Sequence, residues 1–273
     1  MHLLSAFAVL DPKGLIALSE RDLMVQAVGF MLIVAVPVYL LLFFFARKYR
    51  AGNTKAVYMP NWEHGKLEEL IWWAIPFEIV LILGALTWGS THQLDPRKPL
   101  DLAQGKPLII EVVALDWKWL FIYPEQEIAT VNYVRVPVNR PVEFEVTADA
   151  PMNSFWVPQL GGQIYAMTGM VNSLNLVANQ VGKYTGVSSN YSGSGFAQMR
   201  FIAEATSQSD FDAWVTLLKA GSTTLTLGAY ETLAQPSVAV QPAYYSGVTS
   251  NLYDTIIMQF RDSPSAEMQT RTH

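Results

Sequence analysis

Cysteine is absent from all 273 residues. That absence excludes disulfides, thiolate zinc sites, iron–sulfur clusters and any cysteine nucleophile. Histidine is almost as scarce. His2, His64, His92 and His273 are the whole supply, so the long stretch from 93 to 272 has no imidazole for a metal. Charge is thin too: 15% of residues are charged, against about 25% in ordinary soluble domains. The net charge of −5 argues against a nucleic-acid partner. No internal repeat or long low-complexity run is present.

Hydrophobicity is what the chain has in excess, at 51% of residues and a mean hydropathy of +0.21. Much of it sits in two runs. Residues 27–46 contain no formal charge. As a helix they would cover about 30 Å, one hydrocarbon thickness. Pro37 is no objection, because membrane helices tolerate proline. Residues 70–88 form a second run, interrupted by Glu78. A lone run could be a buried core helix or a signal sequence; a pair predicts a two-helix transmembrane hairpin. Residues 47–69 between the spans carry Arg47, Lys48, Arg50, Lys55 and Lys66. The flanks carry Lys13 and Arg21 before, and Arg97, Lys98 and Lys106 after. This bias puts the connecting loop in the cytoplasm, and residues 1–26 and everything past 88 outside. Trp62, Trp72, Trp73 and Trp88 suit interfacial anchors.

Residues 89–106 read as a linker, with Leu94-Asp95-Pro96-Arg97-Lys98-Pro99 at its centre. Beyond it the period changes to two. Segments 108–115, 119–123, 131–136, 142–147, 173–178 and 199–205 are predicted strands. In 142–146 the order Val-Glu-Phe-Glu-Val alternates a core face with a wet face. Such a series over 107–206 predicts an all-β Greek-key sandwich or barrel. From 207 the period becomes helical. Phe211, Trp214, Val215, Leu217 and Leu218 should pack on the sandwich, and 225–234 and 251–260 should add two short helices. Residues 207–273 thus form a small C-terminal helical extension ending in a polar tail.

Residues 186–199, Gly-Val-Ser-Ser-Asn-Tyr-Ser-Gly-Ser-Gly-Phe-Ala-Gln-Met, read as a loop by composition. A loop on a β domain commonly carries a site, yet this one has no thiol, imidazole or carboxylate.

Three stretches read together carry a family resemblance: Asp116-Trp117-Lys118-Trp119, Asn153-Ser154-Phe155-Trp156-Val157-Pro158, and 188–199. They resemble the landmarks of subunit 2 of the haem–copper respiratory oxidases, whose sandwich is cupredoxin-like. In the cytochrome c branch the last stretch is C-x-E-x-C-G-x-x-H-x-x-M, the second begins with His, and these residues bind a binuclear copper centre. Carried across, the ligand positions are Asn153, Ser188, Asn190, Ser192 and Phe196, and only Gly193 and Met199 match. Hydroxyls, an amide and a phenyl ring do not replace thiolate and imidazole. The departure implies the copper-less, quinol-oxidizing branch. Leu10-Asp11-Pro12-Lys13-Gly14, Tyr123-Pro124-Glu125-Gln126 and Gln163-Ile164-Tyr165-Ala166-Met167 also resemble cytochrome bo-type ubiquinol oxidases.

The resemblance implies a non-catalytic subunit without its own redox centre. Haems and copper would lie in a catalytic subunit 1, with subunits 3 and 4, membrane lipid and ubiquinol as further partners of the complex. The implied place is a bacterial inner membrane, with both termini and the β domain periplasmic. Trp117 and Trp119 hold positions that lie on the electron entrance route of the copper-bearing relatives; here they are expected to pack at the seam with the membrane partner. Glu69 falls where the family commonly has a glutamate near a proton path. At the position of Glu78 the family usually has an apolar residue, so no role carries over. A charge near the bilayer centre costs about 3 kcal/mol, so it should be protonated, paired or turned toward a protein neighbour, and the partner subunit is expected there. Leu4-Ser5-Ala6-Phe7 resembles a lipid-attachment box with Phe7 in place of cysteine. The alternative reading is a membrane-tethered β-sandwich binding module with no redox partner.

Overall fold

The computed structural model describes residues 8–55, 57, 65–100 and 106–261. Phe7 and Trp62 lie outside the described residues. The chain divides into two units: Arg21–Leu94, and Met1–Glu20 together with Asp95–His273.

The first unit is built on two helices, α1 (Leu15–Lys48) and α2 (Lys66–Gln93). Their apolar windows have mean hydropathies of 2.7 and 2.0, and none of either window is buried within the chain. Both are long and apolar enough to cross a membrane. Both exceed the predicted spans of 27–46 and 70–88. Residues 15–26, before the first predicted span, are already helical, and α2 runs on through 89–93 at the start of the predicted linker. The reason is that charges mark where hydrocarbon ends, not where backbone hydrogen bonding ends. Pro37 and Pro76 both sit inside helices. Glu68 and Glu69 occupy the first turn of α2, where carboxylates suit the helix dipole.

The second unit is a two-sheet sandwich. Its strands are β1 (Leu108–Leu115), β2 (Lys118–Tyr123), β3 (Ile128–Val131), β4 (Tyr133–Pro137), β5 (Val142–Ala148), β6 (Asn153–Trp156), β7 (Gln163–Ala166), β8 (Asn172–Leu176), β9 (Gly182–Ser188) and β10 (Arg200–Thr206). The extension adds α3 (Gln208–Lys219), β11 (Thr224–Leu225), α4 (Leu227–Ala234), β12 (Ala243–Tyr245), β13 (Gly247–Val248) and α5 (Leu252–Arg261). One sheet runs β12-β3-β2-β1-β5-β8 and the other β4-β10-β9-β6-β7. The chain changes sheet after β3, β4, β5, β7 and β8, as a Greek-key sandwich requires. Within these two sheets β1 with β5 and β4 with β10 are parallel, and β11 pairs with β13 in parallel in a small third sheet.

The central strands are buried on both faces, which is why they read as nearly continuous apolar runs. Val112, Ala114, Trp119, Phe121 and Tyr123 point between the sheets. Val113, Leu115, Leu120 and Ile122 point the other way, into a second core closed by Tyr230, Leu252, Tyr253, Ile256 and Ile257 of the extension. Lys118 shares the second face. It is 1% exposed, and its ammonium donates to the Gln235 carbonyl at 2.6 Å and to Ser237 Oγ at 2.5 Å. It thereby ties the end of α4 to the sheet, and burial lowers its pKa.

The predicted strand 131–136 straddles a break: Val131 ends β3, whose first three residues were not predicted, and Tyr133 opens β4. Asn132, at φ 54°, turns the chain out of one sheet and into the other. Its Oδ1 accepts from the Trp119 amide at 2.9 Å and its Nδ2 donates to the Val240 carbonyl at 2.8 Å. Asparagine is among the few side-chain-bearing residues that take this conformation readily. Strands β6, β7 and β9 escaped the sequence pattern because polar residues and glycine interrupt them. Phe211 and Trp214 of α3 are buried as expected, but Leu217 is exposed. Gly14 bridges Ala178, and a Cβ there would lie 2.5 Å from the Leu160 carbonyl oxygen, so only glycine fits.

Candidate functional site

The motif positions meet at one pole of the sandwich. Asn153 opens β6 and Ser188 closes β9, on neighbouring strands. Ser188 Oγ donates to Asn153 Oδ1 at 2.8 Å, with a longer 3.4 Å approach to the Asn190 carbonyl. Asn190 Nδ2 donates to the Met152 carbonyl at 2.9 Å. Ser188 N donates to the Met199 carbonyl at 3.2 Å, closing the loop base. The hydroxyls of Ser189 and Ser154 both donate to Gln163 Oε1. Gln163 entered the sequence reading only as part of the Gln163–Met167 resemblance; its hydrogen bonds to the loop had no sequence signal.

Ser192 is buried, and its Oγ has no hydrogen-bond partner among the described residues. Its carbonyl accepts from Trp117 Nε1 at 3.0 Å. Phe196 is half-buried, and its ring meets the exposed Tyr191 ring edge-on at 5.7 Å. Met199 is 1% exposed and belongs to the core between the sheets. The first three residues of the predicted loop are the end of β9, and Phe196–Gln198 form a short 3-10 turn.

Trp117 is the floor of this loop. It takes φ 62° in the turn between β1 and β2, and a Cβ on Gly195 would fall 2.3 Å from its ring. The loop glycine is required by that approach. Trp119 departs from expectation. Its ring is 0% exposed and packs edge-on against Phe155 at 5.3 Å and Phe201 at 5.9 Å. A ring enclosed between the sheets cannot stand at a seam with a partner. The reason is the strand period: Trp119 is an inward residue of β2, whereas Trp117 precedes the strand.

These donors do not suit a soft copper centre. The oxygens available are neutral hydroxyls and amides, most of them engaged with one another, and the one thioether is a core side chain. No group of three or more His, Asp or Glu side chains able to hold a metal occurs among the described residues.

Away from the pole, Glu69 and Glu78 are both exposed on α2. Nine residues separate them, so at 3.6 residues per turn they lie about 180° apart around the axis. A groove within the helical unit is lined by Phe30, Val34 and Val38 of α1 and by Ile79 and Leu83 of α2. Glu78 is turned more than a quarter turn from that seam, so it and Glu69 cannot face one flat neighbour.

Glu111 and Glu145 are a further acidic pair. They are partners in the parallel register of β1 and β5, half-buried near α5. Burial, then Glu145, then Asp254 push the Glu111 carboxyl up to about 7. Neither was singled out from the sequence, although alternation in 142–146 places Glu145 outward.

Fold and site together define a two-sheet sandwich of the oxidase subunit II kind, joined to two helices long and apolar enough to cross a membrane, with a loop of hydroxyls and amides. The family description "Cytochrome C oxidase subunit II, periplasmic domain" matches residues 121–206, and "COX Aromatic Rich Motif" matches residues 219–263. The chain is 48% identical to cytochrome bo(3) ubiquinol oxidase subunit 2 of Pseudomonas aeruginosa, over 94% of this chain and 77% of that protein. It is 49% identical to the protein of the same description from Pseudomonas putida, over 96% and 84%. It is 38% identical to quinol oxidase subunit 2 of Bacillus subtilis, over 84% and 72%. Among solved structures, the periplasmic domain of subunit II of cytochrome oxidase of Bradyrhizobium japonicum matches at 24% identity and a TM-score of 0.40, over 41% of this chain and 94% of that one. The chain belongs to the subunit 2 family of the cytochrome bo(3) ubiquinol oxidases, in the respiratory chain.

Proposed function

We propose that this chain is a non-catalytic subunit of a proton-pumping complex that oxidizes ubiquinol and reduces oxygen to water, and that it carries no redox centre itself. Haems and copper then reside in catalytic subunit 1, with subunits 3 and 4 completing the assembly. The chain sits in a bacterial inner membrane with its β unit and both termini on the periplasmic side. One observation supports this reading: Asn153, Ser188 and Asn190, positions that the resemblance assigns to metal donors, carry amides and a hydroxyl engaged in hydrogen bonds. Electrons arriving from a membrane quinol need no relay on the outer face, so the pole is free to become a structural joint. Trp117 serves that joint as packing.

Glu69, at the cytoplasmic start of α2, stands at the mouth of a proton path in subunit 1. Glu78, on the opposite side of the helix, meets a different protein neighbour. Partner identification, optical spectra and metal analysis of the intact complex test the reading. The expected result is co-purification with a haem-bearing subunit and no binuclear copper signal from the β unit. A chain that purifies alone without haem absorbance would favour a tethered binding module, and copper bound stoichiometrically by the sandwich would reverse the assignment.

A further inference from the structure

The inner end of α1 carries a feature that topology alone does not require. The apolar run stops at Ala46, and Arg47, Lys48 and Arg50 follow at once. The chain then folds back on the helix end. Asn53 Nδ2 donates to the Lys48 carbonyl at 2.6 Å, Asn53 N donates to the Arg50 carbonyl at 2.9 Å, and Lys55 N donates to Asn53 Oδ1 at 3.1 Å. This turn gathers Phe43, Phe44, Arg47, Lys48, Arg50 and Asn53 around one concavity of about 390 Å3.

The site has two chemical halves. Its outer half is cationic, and among the described residues none of the three cations has a carboxylate within ion-pair distance. Lys48 Nζ instead lies over the Phe44 and Tyr49 rings, at 5.5 and 5.4 Å from their centroids. The other half is apolar, with Phe43 70% and Phe44 53% exposed. Ordinary positive-inside charges need only be present on the right side of the membrane. Here they converge on a hollow whose remaining wall is aromatic, at the depth where hydrocarbon gives way to headgroups. Guanidinium forks match phosphate oxygens. A free aqueous anion would have no use for the phenyl wall.

We propose that this concavity holds an anionic membrane phospholipid, with its phosphodiester on Arg47, Lys48 and Arg50 and its acyl chains along Phe43 and Phe44. The occupant is a lipid rather than an acidic protein segment because the wall is half apolar and the hollow lies at the end of a membrane span.

The test uses the intact complex in nanodiscs of phosphatidylcholine with a minor fraction of phosphatidylglycerol, followed by detergent extraction and quantification of retained lipid. Arg47→Gln with Arg50→Gln is expected to weaken retention of phosphatidylglycerol by about twenty-five-fold, at about fivefold per cation. Arg47→Lys with Arg50→Lys should restore most of it, which separates loss of the site from loss of the fold. Inorganic phosphate should not displace the lipid. Equal retention by wild type and the double glutamine variant overturns the proposal. So does displacement by inorganic phosphate, or a cross-link that seats an acidic segment of a partner subunit in the hollow.

Discussion

The two units of this chain are finished to different degrees. In the β unit, residues 108, 110 and 112–115 of β1, all of β2 and all of β3 are buried, and the Phe155 ring meets four others: Trp119, Phe121, Phe144 and Phe201. In the helical unit the apolar windows of α1 and α2 are buried nowhere. One unit closes its hydrophobic surface with its own residues. The other leaves that surface uncovered by the described residues of its own chain.

The sharpest way to break this contrast is to delete the same side chain in each unit. Phe155→Ala removes a ring stacked on Phe201 at 5.1 Å and should cost the β unit about 3 to 5 kcal/mol, read as a lower denaturant midpoint by tryptophan fluorescence. Phe77→Ala, at a ring 64% exposed on α2, should leave that midpoint unchanged to within about 0.5 kcal/mol. If Phe77→Ala instead dissociates the complex, the exposed face of α2 is the core of an intersubunit interface.

A smaller effect comes from Glu111. Its carboxyl is held near 7 in the fold and near its ordinary 4.5 in the unfolded chain, so the native state binds more protons between those values. Stability therefore falls as pH rises from about 4.5 to about 7 and is level above that. Glu111→Gln should flatten this slope and stabilize the β unit at pH 8. The gain should be about 1 to 2 kcal/mol, after allowance for solvent screening of a half-buried group. Denaturant titrations at pH 5 and pH 8 would show it; a slope unaffected by the substitution would mean that another group sets it.

The smallest effects on the chain's own stability are expected in the helices. Glu69→Gln should slow quinol oxidase turnover while leaving haem content intact. Glu78→Gln should leave both unchanged. Loss of proton pumping alone in Glu78→Gln, measured with reconstituted vesicles, would move the relay role from one face of α2 to the other.

Much of this molecule was legible before any fold was known. Two spans, a β sandwich and a helical extension follow from hydrophobic period, because the period reports which side of an element meets water. The failure of the copper ligand set was equally plain, since donor chemistry is a property of side chains and not of their arrangement. Helix limits were less legible: Ser19-Glu20-Arg21-Asp22 signals the edge of hydrocarbon, yet α1 continues through it because its backbone bonds do not depend on that edge.

What tertiary structure alone decided is which residues meet across the chain. Composition could not show that Asn132 breaks one apparent strand into two, that Lys118 spans 117 residues to hold Gln235, or that Glu111 and Glu145 stand opposite each other. Nor could it separate Trp117, beneath the loop, from Trp119, sealed between the sheets. Those outcomes come from register and crossover: a side chain's neighbours are set by the strand beside it, and a sequence does not state which strand that will be.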